Sequence, residues 1–401
     1  ATRTDAINAG LGETSTLHPV IDTTLCIGCK ACISACPEGN ILGLINNKAE
    51  LIGPSNCVGH GACKAACPRG AISLVFGSAT RGVDLPVVGS DFQSTVPGIY
   101  IAGELGGMGL IRNAVEQGRQ AIREIGRRAR ARDGRFLDVV IVGSGPAGLA
   151  AGLGAIELGL RYVVLEQDTL GGAIAHFPRG KVVMTAPARL PIVGEIKFTE
   201  VGRDSLLSFW KDVVHRTGLA VRAQERVDDI RFVDGGFLVQ SSRRQYLTRH
   251  VVLAIGRRGT PRRLDVPGED HPKVVYGLAD PEQFRGKHVL VVGGGDSALE
   301  AAASLAQEPG TNVTLSYRGE AFLRAKTKNR ASVEQAAAER RLSVLLASQV
   351  TRIDPDRVVI SRGGQSCVLR NDAVIVCAGG VLPTNFLKSI GIGIETKYGT
   401  A

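Results

Sequence analysis

Two cysteine-rich runs near the start of the chain constrain its fold more than any other feature. Residues 26–37 read CIGCKACISACP and residues 57–68 read CVGHGACKAACP. Laid over one another, the runs match at three cysteines and at the closing proline, while Cys29 pairs with His60. Seven of the nine cysteines fall in this segment, bunched in runs that end in Cys-Pro. Such bunching indicates metal binding in a reducing compartment and not a disulfide framework.

The first run has the spacing Cys-x-x-Cys-x-x-Cys-x-x-x-Cys-Pro of a two-cluster iron–sulfur module. In this arrangement the fourth cysteine of each run ligates the other cluster. The repeat predicts two ligand sets: Cys26, Cys29, Cys32 and Cys67 for cluster one, and Cys57, His60, Cys63 and Cys36 for cluster two. A zinc ribbon is disfavoured because it needs two separated Cys-x-x-Cys pairs. Over about residues 17 to 76 the chain resembles the bacterial two-cluster ferredoxins.

The sequence leaves three roles open for His60. As a ligand, its neutral imidazole would replace an anionic thiolate and raise the potential of cluster two, as histidine does in Rieske centres. With no ligand at this position, cluster two would be a 3Fe–4S centre. As a bystander, His60 would be a solvated loop residue beside a cluster ligated otherwise. Its register in the repeat and the flanking Gly59 and Gly61 favour ligation. Cluster one is predicted to be 4Fe–4S, and cluster two 4Fe–4S with a histidine ligand or 3Fe–4S.

A first dinucleotide-binding motif follows at residues 138–152. An apolar strand runs into a glycine-rich turn and an alanine-rich helix, with glycines at Gly143, Gly145 and Gly148. These glycines permit a tight turn, the approach of a pyrophosphate and close packing of the helix on the strand. The second strand ends at Glu166, where an acidic residue binds a ribose hydroxyl.

A second copy of the motif lies at residues 287–306, with small residues at Gly293, Gly295 and Ala298. Its second strand ends without an acidic residue. Ser316, Arg318 and, further on, Arg324 are instead available for a 2′-phosphate. The motif therefore favours NADPH over NADH as the nicotinamide cofactor.

The two motifs are joined by LAIGRRGTPRRLDVPGED, and the chain returns through DAVIVCAGGVLPTNFLKSIGI. With these stretches, residues 82–401 resemble the two-dinucleotide-domain flavoprotein reductases of the thioredoxin-reductase-like class, in its bacillithiol-disulfide-reductase-like and ferredoxin–NADP reductase branches. The resemblance implies bound FAD, NAD(P)H as substrate and a homodimer. The family's redox Cys-x-x-Cys is missing after the second glycine motif, and Cys367 and Cys377 are too far apart to supply it. No side chain is nominated as a catalytic acid, base or nucleophile, because the cofactors carry the chemistry.

The order of parts departs from that family. Its last flavin-binding strand and helix here read STVPGIYIAGELGGMGLIRNAVEQGRQAIREI at residues 94–125, ahead of the first glycine motif. The resemblance places Gly103 and Glu104 at the flavin, with Glu104 in place of the usual aspartate. This order predicts a circular permutation of the flavin domain, which neighbouring domain termini allow.

The predicted fold is α/β, with two Rossmann-like dinucleotide-binding domains and a small α+β ferredoxin domain. The predicted division is an N-terminal extension (1–16), the ferredoxin domain (17–78), the permuted FAD-binding element (79–126), the FAD domain (137–256), the NAD(P)-binding domain (257–371) and a final FAD-domain segment (372–401).

These parts predict a flow of electrons from a nicotinamide through FAD and two clusters to a separate redox protein, or the reverse. Two alternatives stay open: reduction of a small molecule at the flavin, and a redox-sensing or scaffold subunit without steady turnover. Although the formal charge is +10, aromatic residues make up only 4% of the chain, which argues against nucleic acid as a partner. No apolar run reaches the ~18 residues of a membrane span, and no signal peptide is recognisable. A cytoplasmic location is expected.

Overall fold

The structure of the protein is a computed structural model. It describes residues 17–78, 82–107, 109–128, 134–177, 182–184, 187–198, 200–257, 259–323 and 325–399. The predicted N-terminal extension and Arg324 lie outside these ranges. The chain forms two compact units: residues 1–82 with 260–381 and 397–401, and residues 83–259 with 382–396. Within the described ranges, no helix is both long and apolar enough to cross a membrane.

The N-terminal module of the first unit consists of two short strand pairs and two single-turn helices. Its elements are β1 (His18–Ile21), α1 (Ala31–Ser34), β2 (Leu42–Ile45), β3 (Lys48–Leu51), a 3₁₀ turn (Pro54–Asn56), α2 (Ala62–Ala65) and β4 (Ile72–Val75). Strand β1 pairs antiparallel with β4, and β2 with β3. Each helix follows a residue in the left-handed region, Lys30 (φ 63°) and Gly61 (φ 76°), so the sequence repeat is also a structural repeat.

The second unit contains a seven-stranded sheet in the order β13-β8-β7-β16-β15-β14, with β6 beside β16. Its elements are β5 (Val83–Pro86), β6 (Ile99–Ile101), a 3₁₀ turn (Glu104–Gly106), α3 (Ile111–Arg128), β7 (Leu137–Val142), α4 (Pro146–Glu157), β8 (Tyr162–Leu165), a 3₁₀ turn (Gly172–His176), β9 (Val182–Met184), β10 (Ala188–Leu190), β11 (Gly194–Ile196), β12 (Glu200–Gly202), α5 (Arg203–Thr217), β13 (Val221–Arg222), β14 (Val227–Val233), β15 (Gly236–Ser241) and β16 (Gln245–Leu253). Strands β6, β7, β8, β13 and β16 run parallel, while β14 and β15 form an antiparallel meander with β16.

Strand β6 and helix α3 are built into this unit although they precede its first glycine motif. Residues Val251–Leu253 of β16 pair with β6 on one side and with β7 on the other. All three residues of β6 are buried. Helix α3 packs on α4 so closely that a Cβ at Gly118 would overlap the carbonyl oxygen of Ala147. Strand β6 and the buried face of helix α3 are therefore part of the core and not a linker.

The first unit also contains a five-stranded parallel sheet in the order β18-β25-β19-β20-β21. The elements from residue 260 to 381 are β17 (Thr260–Pro261), β18 (Val274–Val275), a 3₁₀ turn (Pro281–Phe284), β19 (His288–Val292), α6 (Asp296–Leu305), β20 (Asn312–Ser316), α7 (Thr327–Ala338), β21 (Leu342–Leu345), β22 (Ser348–Ile353), β23 (Arg357–Arg362), β24 (Gln365–Arg370), β25 (Ala373–Val376) and β26 (Gly380–Val381). Alternate residues of β19 point to opposite faces: Val289 and Val291 pack with α6 and α7, and Leu290 packs with the antiparallel sheet β22-β23-β24.

The boundary predicted at residue 371 differs from the structure. Strand β25 reads AVIV, is buried along its whole length, and pairs parallel with β18 and β19 of the nucleotide sheet. The second unit resumes only at Leu382. There α8 (Thr384–Ser389) contributes Leu387 to the core beneath β6, and β27 (Ile394–Lys397) pairs with β5. A fully apolar strand is compatible with either parallel sheet, which is why the sequence alone misplaced it.

Inside the first unit, the N-terminal module is hydrogen-bonded to the nucleotide sheet's helix α7. The Nδ2 of Asn56 donates to Thr327 Oγ1 (3.3 Å), and the backbone N–H of Thr327 donates to Asn56 Oδ1 (3.2 Å). Thr327 is the first residue of α7, so Asn56 satisfies one of the N–H groups that the start of a helix leaves without a partner. Asn56 directly precedes Cys57 in the second cysteine run.

Candidate functional site

The first of two cysteine-lined cavities contains the four cysteines predicted for cluster one. This cavity, called cavity one, measures about 340 Å³ with its open mouth, and its donors are Cys26, Cys29, Cys32 and Cys67. Cys26 and Cys32 are buried, whereas Cys29 is exposed. The last donor comes from the second run, so the fold brings the two halves of the repeat together at one site.

The second cavity contains the residues predicted for cluster two. This cavity, called cavity two, measures about 360 Å³ with its open mouth, and its candidate donors are Cys36, Cys57, His60 and Cys63. The side chain of His60 is 26% exposed, and its Nε2 lies 3.7 Å from Glu38 Oε1. Glu38 also lines the cavity. The structure thus places His60 where the fourth donor of a cluster would be, and its role as a ligand stays a prediction.

The surroundings of the thiols fit iron–sulfur clusters. The N–H of Ala49 donates to Cys26 Sγ (3.4 Å), and the N–H of Ala71 donates to Cys67 Sγ (3.3 Å). Hydrogen bonds of this kind to the sulfurs are among the features that set a cluster's potential. Among the described residues, no three His, Cys, Asp or Glu side chains meet closely enough to hold a single metal ion. Each cavity is instead lined by four candidate donors, and such a set would hold an iron–sulfur cluster.

The protonation of the thiols differs from one position to another. The N–H groups of Ala49 and Gly28 and the charge of Lys48 lower the pKa of Cys26. Burial raises the pKa of three other thiols, Cys32, Cys57 and Cys63. A raised pKa means that binding of metal must displace a proton, so cluster assembly is coupled to proton release.

Sequence reasoning missed Lys48, which lies on β3 outside both cysteine runs. Its Nζ donates to the carbonyl oxygen of Cys26 at 2.5 Å, across 22 residues of sequence. The ammonium group thus sits beside the first donor of cavity one. No local motif marks this lysine, because the β2–β3 hairpin alone brings it to the site.

The first glycine motif forms a tight turn at the start of helix α4. Gly143 has φ +102°, and a Cβ there would overlap the carbonyl oxygen of Ala254. A Cβ at Gly148 would overlap the carbonyl oxygen of Gly143. Gly145 faces open space, with only Gly172 Cα at 3.9 Å from the position of a Cβ, and no side chain caps the helix that it starts. Free N–H groups at an open helix start form a cradle for a phosphate.

Glu166 is buried at the end of β8, beside this turn. Its Oε2 accepts hydrogen bonds from the N–H (2.8 Å) and the hydroxyl (2.9 Å) of Ser144, and its Oε1 accepts one from the N–H of Asp168 (2.9 Å). The carboxylate of Glu166 therefore stabilises the glycine turn. It also lies at the position that is predicted to bind a ribose.

Gly103 and Glu104 follow strand β6 and lie on the same unit as the first glycine turn. The N–H of Gly103 donates to Gln117 Oε1 (2.7 Å), and a Cβ at Gly103 would come within 3.1 Å of the Cβ of Ala147 in helix α4. Glu104 is an exposed residue. The protein around its carboxyl nevertheless desolvates this group and raises its pKa, and the positive charge of Arg257 opposes that rise. The structure thus brings Gly103 to the start of α4, and Glu104 follows it in the chain.

The second glycine motif has the same turn at the start of helix α6. Gly293 has φ +147°, and a Cβ there would overlap the carbonyl oxygen of Cys377. Gly295 faces open space and starts the helix without a side-chain cap. Ala298 is fully buried, and its Cβ lies 3.0 Å from where a Cβ of Gly293 would be.

Two of the residues predicted to bind a 2′-phosphate, Ser316 and Arg318, differ in their exposure. Ser316 is buried, and its Oγ is within 2.8 Å of Ser348 Oγ, so its hydroxyl is already paired inside the protein. This does not agree with the prediction for Ser316. Arg318, two residues on, is exposed and makes no ion pair with the described part of the chain. Arg324 lies outside the described residues.

Comparison with known proteins agrees with this architecture. Residues 140–400 match the family model described as pyridine nucleotide-disulphide oxidoreductase, and residues 18–68 match the model described as 4Fe-4S dicluster domain. The chain is 27% identical to bacilliredoxin reductase Bdr of Bacillus subtilis (strain 168), over 65% of this chain and 82% of that protein. It is 29% identical to ferredoxin–NADP reductase of Ignicoccus hospitalis, over 65% of this chain and 83% of that protein.

Solved structures give the same result. Bacillithiol disulfide reductase Bdr (YpdA) from Staphylococcus aureus has a TM-score of 0.57 and 25% identity, with 65% of this chain and 82% of that chain covered. Thioredoxin reductase of T. acidophilum has a TM-score of 0.50 and 24% identity, with 65% and 82% covered, and shows the fold alone. The mixed α/β fold with two dinucleotide-binding regions is thereby confirmed. The chain belongs to the pyridine nucleotide-disulphide oxidoreductase family, as a flavin- and NAD(P)-dependent oxidoreductase that carries a 4Fe-4S dicluster domain at its N-terminal end.

Proposed function

We propose that this protein transfers electrons between NADPH and a separate redox protein, using FAD and two iron–sulfur clusters. The observation that carries the proposal is the crossed lining of the two cavities, in which each cavity takes its last cysteine from the other run. Such a pair of sites serves one-electron transfer, because iron–sulfur clusters are one-electron carriers. Relatives named ferredoxin–NADP reductase support the proposed transfer of electrons between NADPH and a redox protein.

The second unit would hold FAD at the first glycine turn. The open start of α4 at Gly145 suits the pyrophosphate, and Glu166 stands at the ribose position. When bound, FAD takes up an electron pair from a nicotinamide and passes electrons on singly, and the protein's residues only bind and orient it. Strand β6 and helix α3 complete this unit ahead of the glycine turn, as the proposed circular permutation requires.

The first unit would hold NADPH at the second glycine turn. Gly295 leaves room for the pyrophosphate at the start of α6. Arg318 is the exposed cation nearest in sequence to the end of β20, and it would face the 2′-phosphate. A guanidinium binds phosphate through two parallel hydrogen bonds, which favours NADPH over NADH.

Direct disulfide reduction is a poorer fit. Outside the cysteine runs the chain has only Cys367 and Cys377. Cys367 lies on β24 with its side chain exposed, whereas Cys377 follows β25 and is half-buried. Ten positions separate them, so outside the cysteine runs the chain has no Cys-x-x-Cys pair of the kind that a dithiol relay uses. Under this proposal the acceptor or donor is a protein that exchanges single electrons, and the bunched cysteine runs favour a reducing compartment such as the cytoplasm.

Anaerobic reduction of the purified holoprotein tests the proposal. NADPH should bleach the flavin and cluster absorbance, and an artificial one-electron acceptor should restore both, with NADH less effective. A count of iron and EPR of the reduced and oxidised forms would check that two clusters are present. An oxidised flavin spectrum that neither NADPH nor NADH changes would refute the proposal.

A further inference from the structure

The two cavities differ at two positions that the repeat relates to each other. Cys29 of cavity one corresponds to His60 of cavity two, and Arg69 of cavity one corresponds to Glu38 of cavity two. Arg69 and Glu38 both follow the Cys-Pro pair that supplies the last cysteine of their cavity. Cavity one, whose second donor is a thiol, therefore has a cation in its wall. Cavity two, whose second donor is an imidazole, has an anion in its wall.

The anion of cavity two contacts the imidazole. Glu38 Oε1 lies 3.7 Å from His60 Nε2, with side-chain exposures of 30% and 26%. The carboxylate therefore lies beside this ring nitrogen, at a distance slightly too long for a hydrogen bond. A metal-ligating histidine usually gives its second ring N–H to a carboxylate, which fixes the tautomer and the ring orientation.

We propose that Glu38 is the positioning residue of cluster two: its carboxylate would hold the Nε2–H of His60, so that Nδ1 would be the ligand atom, and would restore the negative charge lost when imidazole replaces a thiolate. The inference rests on the proposed function, since it requires a cluster in cavity two. The ligand set of cavity two is less negative than that of cavity one by one charge. The Glu38 carboxylate returns this charge just outside the ligand set, whereas Arg69 neutralises part of the larger charge in cavity one.

This arrangement has a consequence for the two potentials. Reduction adds an electron, so an anion beside a cluster opposes it and a cation favours it. Glu38 therefore offsets the rise in potential that a neutral histidine ligand causes. Arg69 raises the potential of cluster one. The potentials of the two clusters therefore differ less than their ligands alone would make them differ.

The test is an EPR-monitored redox titration of the full-length holoprotein and of Glu38→Gln. The variant should favour reduction of cluster two by on the order of tenfold, which is 59 mV for one electron, and leave cluster one unchanged. The nitrogen coupling of cluster two, measured by pulsed EPR, should also change. The matched variant is Arg69→Gln, which should lower the potential of cluster one and leave cluster two unchanged.

The outcomes separate this inference from the function on which it rests. Wild-type protein without a second cluster would overturn both. Two clusters in the wild type, with neither potential nor nitrogen coupling altered by Glu38→Gln, would overturn the role of Glu38 alone. If Glu38→Gln loses cluster two, recovery of the cluster in Glu38→Asp supports the role, because the charge is kept. Equal loss in Glu38→Asp would overturn it.

Discussion

The two glycine turns share a backbone design but end their second strands in opposite ways. Both turns start a helix at an uncapped glycine, Gly145 and Gly295, with open space where a Cβ would lie. After the turn at Gly145 the second strand leads to Glu166, a buried acid, whereas after the other it leads to Arg318, an exposed cation. The uncapped turn that both sites share suits the pyrophosphate that both cofactors contain. Under the proposed function, the different ends of the second strands would decide which ribose each turn accepts.

The turns also differ at their third small residue. A Cβ at Gly148 would overlap the carbonyl oxygen of Gly143, whereas Ala298 already carries a Cβ at the equivalent position. Helix α4 therefore packs closer to its turn than α6 does. Four substitutions test this comparison, in decreasing order of expected effect.

Gly148→Ala should abolish FAD binding. The added methyl group collides with backbone that cannot move away, so α4 must shift from its turn, and overpacking of this kind costs roughly 1–3 kcal/mol of stability. The ratio of flavin to protein after purification and the free energy of unfolding in urea measure the effect. The matched control is Ala298→Gly, which should keep nucleotide binding and cost about 2 kcal/mol, through lower helix propensity and the loss of a buried methyl group. Full flavin content in Gly148→Ala would contradict the packing argument.

Arg318→Ala should weaken NADPH more than NADH. One charge-assisted contact to the 2′-phosphate contributes on the order of 1.5–3 kcal/mol, or roughly ten- to hundredfold in Kd. Titration of the protein with both nucleotides, followed by flavin absorbance or calorimetry, gives the ratio. Arg362→Ala, an exposed arginine on the separate sheet β22-β23-β24, serves as the control and should change neither Kd. Equal losses for NADPH and NADH in Arg318→Ala would show that Arg318 does not bind the 2′-phosphate.

Glu166→Gln should lower the free energy of unfolding by about 1–3 kcal/mol. The carboxylate accepts hydrogen bonds at both oxygens, from Ser144 and from Asp168. An amide has only one oxygen, so its NH₂ group would face a buried N–H and leave that donor unpaired. Denaturant unfolding of the apoprotein measures the loss without the contribution of flavin. A stability equal to wild type would mean that the carboxylate does not fix the turn.

Gly295→Ala should have the smallest effect on stability. Nothing lies within 4 Å of the added methyl group, and φ is −101°, which alanine adopts without strain. We expect the free energy of unfolding to stay within about 1 kcal/mol of wild type. Affinity for NADPH and NADH should fall equally, because the methyl group occupies the space of the pyrophosphate that they share. Undiminished binding of both nucleotides would place the pyrophosphate elsewhere.

Much of this architecture could be predicted from the sequence because its motifs are local. The spacing of Cys26 to Cys36 specifies a cluster loop, and the glycines at 143–148 specify a strand, a turn and a helix. What could not be predicted depends on the third dimension. Lys48 contacts Cys26 because the β2–β3 hairpin brings the two residues together. The hydroxyl of Ser316 is hydrogen-bonded to Ser348, a residue on another strand.

The hydrogen bonds between Asn56 and Thr327 join residues that are 271 positions apart. Synthesis at about 5–20 residues per second exposes the second of them roughly 15–55 s after the first. Both cysteine runs leave the ribosome well before helix α7 exists, so the module can acquire its iron and sulfide while its α7-facing side is still open to assembly proteins. Docking on α7 therefore comes after the synthesis of both cysteine runs. The order of the domains along the chain thus acts as an order of assembly.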